Sequence, residues 1–346
     1  MYWCQSGEDN ICRYSSDIVM MNPTNEESTT SSLSSVDLLF VWDFDWTIVN
    51  CNSDEFIPAA FLGTDETERR LRLAISINGP TKWHDCIANI VNQCMDECGG
   101  DDCCNYDDDD VDGKVTKVLD VAAKMPYLTN VVGALSDIYD CKSLSTGQAI
   151  ISDGNNSFIG AFVKGNGIEH YFTHGIETNI GVWTRGSNND AADADAEHRT
   201  TFSVVHQSSK YGGHTCKTCP PNLCKSQVLL DILNRTSSSS SGTTAARPRV
   251  VYVGDGSNDA CPALNVLGPN DVLLARTGRR IKNPNSMIGE QADVVDDELL
   301  MKGNEFPILS TIENRKKKES LVPCCKIHSW NTGAELRALV RDILYE

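Results

Sequence analysis

Two carboxylates separated by one residue, Asp43 and Asp45, stand in the string Asp43-Phe44-Asp45-Trp46-Thr47. On a loop, such a pair can face one pocket. One carboxylate can then attack phosphorus while the other carries a proton to and from the leaving oxygen. Taken alone, the motif reads equally as an acidic surface turn or a helix start. Further along, Ser152-Asp153 offers a hydroxyl and backbone N–H groups that could hold a phosphoryl oxygen. Lys225, ahead of a helical stretch, could neutralise a phosphoryl group and its attacking carboxylate. A lone lysine there is otherwise a solvated side chain. Gly254-Asp255-Gly256-Ser257-Asn258-Asp259 combines turn-permitting glycines with oxygen ligands suited to Mg²⁺. It is not a dinucleotide fingerprint, because Asp259 occupies the place of the last glycine.

These groups need elements to aim them. Leu38 to Trp42 is an apolar run ending at Asp43, Ala149 to Ile151 ends at Ser152-Asp153, and Val250 to Val253 ends at Gly254-Asp255. Val272 to Ala275 is a fourth such run. Continuous apolar strands interleaved with helical stretches predict an α/β fold, a doubly wound parallel sheet covered on both faces. Ligands in such folds bind outside the carboxyl ends of the strands, so the polar ends converge. About a hundred residues separate the first two strands, far more than a crossover needs. Thr67 to Ala74, Lys82 to Glu97 and Val115 to Lys124 read as helical. The excess predicts an inserted helical cap.

The expected organisation is a disordered N-terminal segment over 1–35 and a core over 36–50 and 146–310. The cap spans 51–145, and a C-terminal segment with a terminal helix spans 311–346. Residues 22–35, 99–113, 186–199 and 236–248 are polar, acidic or Ser-rich and read as solvated loops.

The order DxDxT, Ser, Lys, GDGxND, each motif in its strand context, resembles the haloacid dehalogenase (HAD) superfamily of phosphotransferases. FVWDFDWTIVNCNSDEFIP, AIISDGNNSFI, HTCKTCPPNLCKSQVL and VVYVGDGSNDACP further resemble the phosphoethanolamine/phosphocholine phosphatase family and its pyridoxal phosphate-related branch. The likeness covers roughly residues 36–300. It implies that Asp43 is the nucleophile and that Asp45 is the general acid/base, also offering its backbone carbonyl to Mg²⁺. Thr47 and Ser152 would bind the phosphoryl group, with Asp153 beside them in the substrate pocket. Lys225 would be the phosphate-binding lysine. Asp43, Asp45, Asp255 and Asp259 would form the Mg²⁺ site. Trp46 departs from the small or charged residue expected there. It would narrow the pocket, line it for a cationic head group, or pack against the cap.

The 346 residues carry a formal charge of −18, which repels nucleic acid and anionic lipid. An anionic substrate therefore needs cations inside the pocket. No apolar run is long enough to span a membrane. With no leader pattern and 15 cysteines, the chain reads as cytoplasmic with free thiols or a metal site. The sequence names no oligomeric state. His214, Cys216, Cys219 and Cys224 are ligand types for a structural Zn²⁺ that would brace the Lys225 loop. Asp108, Asp110, Asp112 and Gly113 match the opening of a Ca²⁺ loop, but Leu119 stands where its closing glutamate belongs.

The expected activity is thus Mg²⁺-dependent hydrolysis of a small phosphomonoester, phosphoethanolamine or phosphocholine first. Pyridoxal phosphate or another small monoester is the rival substrate, and a zinc-braced binding protein without catalysis is the rival class.

Overall fold

The structure is a computed structural model that describes residues 34–79, 82–97, 111–185, 200–237, 247–280 and 304–346. Its centre is a sheet of seven strands in the order β4-β3-β2-β1-β5-β6-β7. These are β1 Leu38–Trp42, β2 Thr146–Asn155, β3 Ile176–Arg185, β4 Thr200–Val205, β5 Arg249–Gly254, β6 Val272–Arg276 and β7 Lys326–Trp330. All neighbours run parallel except β3 and β4. The helices are α1 Ser53–Leu62, α2 Thr64–Asn78, α3 Trp83–Glu97, α4 Val111–Ala123, α5 Thr129–Tyr139, α6 Asn156–Gly165, α7 Lys225–Ser237, α8 Ala260–Asn265, α9 Ile308–Glu319 and α10 Gly333–Tyr345.

The period-two alternation of a strand divides the core in two. Leu38, Phe40 and Trp42 of β1 point to one face, with Val131 and Leu135 of α5, Phe158 and Phe162 of α6, and Leu336 and Val340 of α10. Leu39 and Val41 point to the other, with Val228 and Ile232 of α7, Ala263 of α8, and Ile308 and Ile312 of α9. Both faces being covered, each central strand holds a continuous apolar run. That is why the four strands expected from apolar runs all exist.

The helical stretch after β1 divides between two jobs. The first turns of α1 and α3 reach the strand ends, where Ser53 meets Asp45 and His84 Nε2 lies 2.9 Å from the Asp153 carbonyl. In α3, Asn92 exchanges two hydrogen bonds with the Phe202 backbone of β4. By contrast α5 lies on the sheet face rather than over the strand ends. The Leu135 carbonyl accepts from Gln148 Nε2, and Asp137 accepts from Arg337 and Arg341 of α10. The 311–346 segment carries its terminal helix and also an edge strand, β7, parallel to β6.

Asp112, Gly113 and Leu119 are helical residues of α4, so no calcium-type loop forms there, and Asp108 and Asp110 lie outside the described residues. Outside them too are 1–33, most of the 99–113 acidic run, 186–199 and 238–246. No helix among the described residues is long and apolar enough to cross a membrane.

Candidate active site

Asp43 is the first residue after β1, and its backbone N–H still bonds the Val253 carbonyl of β5. Its carboxylate is buried, with Oδ1 accepting from the Phe44 N–H at 2.8 Å. Lys225 begins α7 and is fully buried. Its Nζ lies 2.8 Å from Asp43 Oδ1 and 2.6 Å from Asp259 Oδ1. Burial opposes the Lys225 charge, yet Asp259 and Asp43 together hold the ammonium well above its usual range. Asp259 is held in turn by the backbone N–H groups of Asp255 and Gly256 and by the Tyr252 hydroxyl. A Cβ on Gly254 would stand 2.4 Å from the Asp259 carboxyl carbon, so only glycine fits where β5 ends.

Carboxylate oxygens of Asp43, Asp255 and Asp259 lie within 4.8 Å of one another. Burial and the neighbouring Asp259 charge push the Asp43 carboxyl well up. Burial lifts Asp255 to about 6, although Arg280 Nη2, 2.9 Å from its Oδ2, pulls the other way. Three buried carboxylates face two cationic side chains, so the group is short of positive charge. A hard divalent cation with oxygen ligands fits that donor set.

Asp45 is half-buried. Its two oxygens accept from the Ser53 N–H and Oγ at the start of α1. That helix end favours an anion, but burial and the nearby Asp54 charge still raise the Asp45 carboxyl well above the carboxylate range. A carboxyl raised in this way holds its proton more firmly than an exposed carboxylate does. The Asp45 side chain is therefore no part of the three-carboxylate group.

Ser152 and Asp153 lie where the β2–β3 pairing slips register between Ile151 and Asn155. Such irregularities re-aim side chains beside functional sites. Ser152 is buried, and its Oγ accepts from the Gly154 N–H. The Asp153 carbonyl is clamped by Asn179, Asn222 and His84. Thr47 is buried, and its Oγ1 has no hydrogen-bond partner among the described residues.

Trp46 packs against residues of this chain. It adopts a left-handed backbone, φ 58°, and is buried against Phe306. Its ring already faces a cation of this chain, the Arg280 guanidinium at 5.7 Å. Arg276, at the end of β6, donates to the Trp46 carbonyl and to Asn50 Oδ1, which fixes the loop after Asp43. Neither arginine was singled out from the sequence, although Arg276 closes the fourth apolar run.

His214 is also misplaced as a metal ligand. Its Nε2 lies 2.8 Å from the Pro220 carbonyl, and its Nδ1 accepts from the Cys216 N–H. The fold gathers Cys261 with Cys216, Cys219 and Cys224 instead.

A family model described as "Putative Phosphatase" matches residues 38–294, which include every carboxylate above and Lys225. The chain belongs to this phosphatase family. It is a phosphatase of the HAD superfamily, as its motifs imply. Among its relatives, the pyridoxal phosphate phosphatase PHOSPHO2 of Mus musculus is 25% identical over 283 residues, covering 80% of this chain and 97% of that protein. Inorganic pyrophosphatase 2 of Arabidopsis thaliana is 27% identical over 241 residues, covering 69% and 70%. A thiamine phosphate phosphatase-like protein of Arabidopsis thaliana is 24% identical over 240 residues, covering 69% and 80%.

Proposed function

We propose that this phosphatase hydrolyses small phosphomonoesters through an aspartyl-phosphate on Asp43, with Asp45 as the proton carrier. The observation that carries the reading is the buried Lys225 ammonium shared by Asp43 and Asp259 at the strand ends. It opposes the burial and the Asp259 charge that push the Asp43 carboxyl up. It also supplies the cation that an acidic protein needs to receive a phosphoryl group. Asp43 attacks phosphorus while Asp45, protonated, gives its proton to the leaving oxygen. Asp45 then takes a proton from water as that water attacks the acyl phosphate, which restores Asp43. Ser152 Oγ and the unpartnered Thr47 Oγ1 serve as phosphoryl contacts. Asp43, Asp255 and Asp259, with the Asp45 carbonyl, would hold Mg²⁺, which supplies charge stabilisation for the phosphoryl oxygens.

The preferred substrate is a monoester with a cationic leaving group, phosphoethanolamine or phosphocholine. Asp54 supports this: it is buried, and its Oδ1 has no partner among the described residues, while Oδ2 accepts from Trp83 Nε1. Asp153 stands near enough to raise the Asp54 carboxyl further, after burial itself. An ammonium between these carboxylates would form charge-assisted hydrogen bonds. Pyridoxal phosphate is the second reading, favoured by the name of the mouse relative. We place its action in the cytoplasm, where thiols stay reduced.

Phosphate release from phosphoethanolamine, phosphocholine, pyridoxal phosphate, thiamine phosphate, pyrophosphate and p-nitrophenyl phosphate, with and without Mg²⁺, tests the reading. Asp153→Asn and Asp54→Asn should lower kcat/KM for the cationic monoesters more than for p-nitrophenyl phosphate. Equal losses would assign both residues to the phosphoryl step or the fold. A strong preference for pyridoxal phosphate in the parent protein would overturn the choice of substrate.

A further inference from the structure

Four sulfurs meet where the segment before Lys225 approaches the one after Asp259. Cys216 and Cys219 lie in the loop before α7, Cys224 directly precedes Lys225, and Cys261 is the second residue after Asp259. All four Sγ atoms lie within 4.8 Å of one another. Cys261 Sγ is 3.5 Å from Cys216 Sγ and 4.0 Å from Cys224 Sγ. A tetrahedral zinc with Zn–S bonds of about 2.3 Å sets its sulfurs about 3.8 Å apart. Two or more irons would spread their thiolates further than one ion does.

The surroundings suit thiolates. The backbone N–H groups of Thr218 and Cys219 both point at Cys216 Sγ at 3.4 Å. Ser226 Oγ lies 2.9 Å from Cys261 Sγ, and Asn265 Nδ2 stands 3.6 Å from it. Hydrogen bonds from such neighbours orient metal ligands and offset their charge. Cys219 and Cys261 are buried, and Cys216 and Cys224 are half-buried.

We propose that Cys216, Cys219, Cys224 and Cys261 bind one structural zinc ion that ties the Lys225 loop to the Asp255–Asp259 loop. Four protein ligands leave no open position, which makes the ion structural rather than catalytic. Binding displaces the thiol protons to solvent, with no change of oxidation state. Lys225, next to Cys224, and Asp259, two residues before Cys261, are the partners of one buried ion pair. The zinc would fix the backbone on both sides of that pair.

The test is metal analysis of the full chain purified without chelator, with inductively coupled plasma mass spectrometry reading zinc and iron. About one zinc per chain is expected. Cys261→Ser should lose most of it, whereas His214→Ala should keep it. Asp255→Asn should keep it as well, which separates this site from the carboxylates. Should Cys261→Ser fail to fold, the parent protein reloaded with Co²⁺ answers instead. Intense visible bands with sulfur-to-cobalt charge transfer in the near-ultraviolet are expected. Metal-free protein, iron in place of zinc, a Cys216–Cys261 disulfide by peptide mapping, or zinc lost on Asp255→Asn would each overturn the proposal. An inactive protein with full zinc would sink the phosphatase mechanism and leave this site standing.

Discussion

Asp43 meets two opposed demands. Burial pushes its carboxyl up, yet a nucleophile must be ionised. Lys225 pulls the Asp43 carboxyl back down, but Asp259 shares that ammonium and its own charge pushes Asp43 up, so full ionisation calls for further positive charge at the site. Asp43→Asn should therefore abolish turnover while circular dichroism stays that of the parent, since the amide is isosteric but not nucleophilic. Asp45→Asn should lower kcat by about 10²–10⁴-fold, the usual worth of a positioned acid-base group. Parental kcat in either folded variant would remove that residue from the mechanism. Asp255 makes a pH prediction. Its folded pKa is raised from 3.8 to about 6, so without metal its contribution to stability is present below pH 4 and lost as pH rises through 6. Metal-free protein should thus lose melting temperature over that window, and Mg²⁺ should recover it. Asp255→Asn should flatten the loss; an unchanged slope would mean that Asp255 is not the titrating group. Mg²⁺ affinity should fall below about pH 6, where Asp255 takes up a proton.

At the scale of elements, legibility followed burial. Strands β1, β2, β5 and β6 are buried on both faces, so apolar runs announced them and the motif at each end. β7 exposes four of its five residues, and β3 and β4 bury only two and one of theirs, so none of the three shows a continuous apolar run. Lys225 and Asp259 were readable as single letters, but their ion pair joins residues 34 apart and needed the fold. Cys261 lies 37 residues beyond Cys224, so spacing within one segment does not reveal it. The placement of α5 turned on a contact between distant helices. Arg337 and Arg341, one turn apart on α10, both pair with Asp137 of α5 and hold its carboxyl down at about 2. Asp137→Asn should cost about 1 kcal/mol, the upper end for partly exposed pairs. That is a fall of about 2–4 °C in Tm at neutral pH. The difference from the parent should vanish as pH falls through about 2, because a lowered pKa contributes stability only above it. Activity should not change, since α5 lies on the sheet face. A fall in kcat with unchanged Tm would instead place α5 at the site.

The whole molecule carries −18, and its substrates are anions. Far from the pocket, that charge raises the potential energy of an approaching phosphate ester. Within the pocket, Lys225 and the proposed Mg²⁺ would reverse the sign. The two effects differ in range, and salt separates them. Between about 0.01 M and 0.15 M ionic strength the screening length shrinks from about 30 Å to about 8 Å. Long-range repulsion is then largely removed, whereas a buried pair such as Lys225–Asp43 is screened far less. At fixed Mg²⁺, KM for p-nitrophenyl phosphate should therefore fall several-fold as KCl rises over this range. Phosphoethanolamine carries its own ammonium and feels less of the repulsion, so its KM should fall less. It should even rise if Asp54 and Asp153 attract that ammonium strongly. Parallel salt curves for the two substrates would mean that the carboxylates near Asp54 do not meet the leaving group. A KM that climbs with salt for p-nitrophenyl phosphate would show that the cations of the site, not the acidic surface, govern encounter.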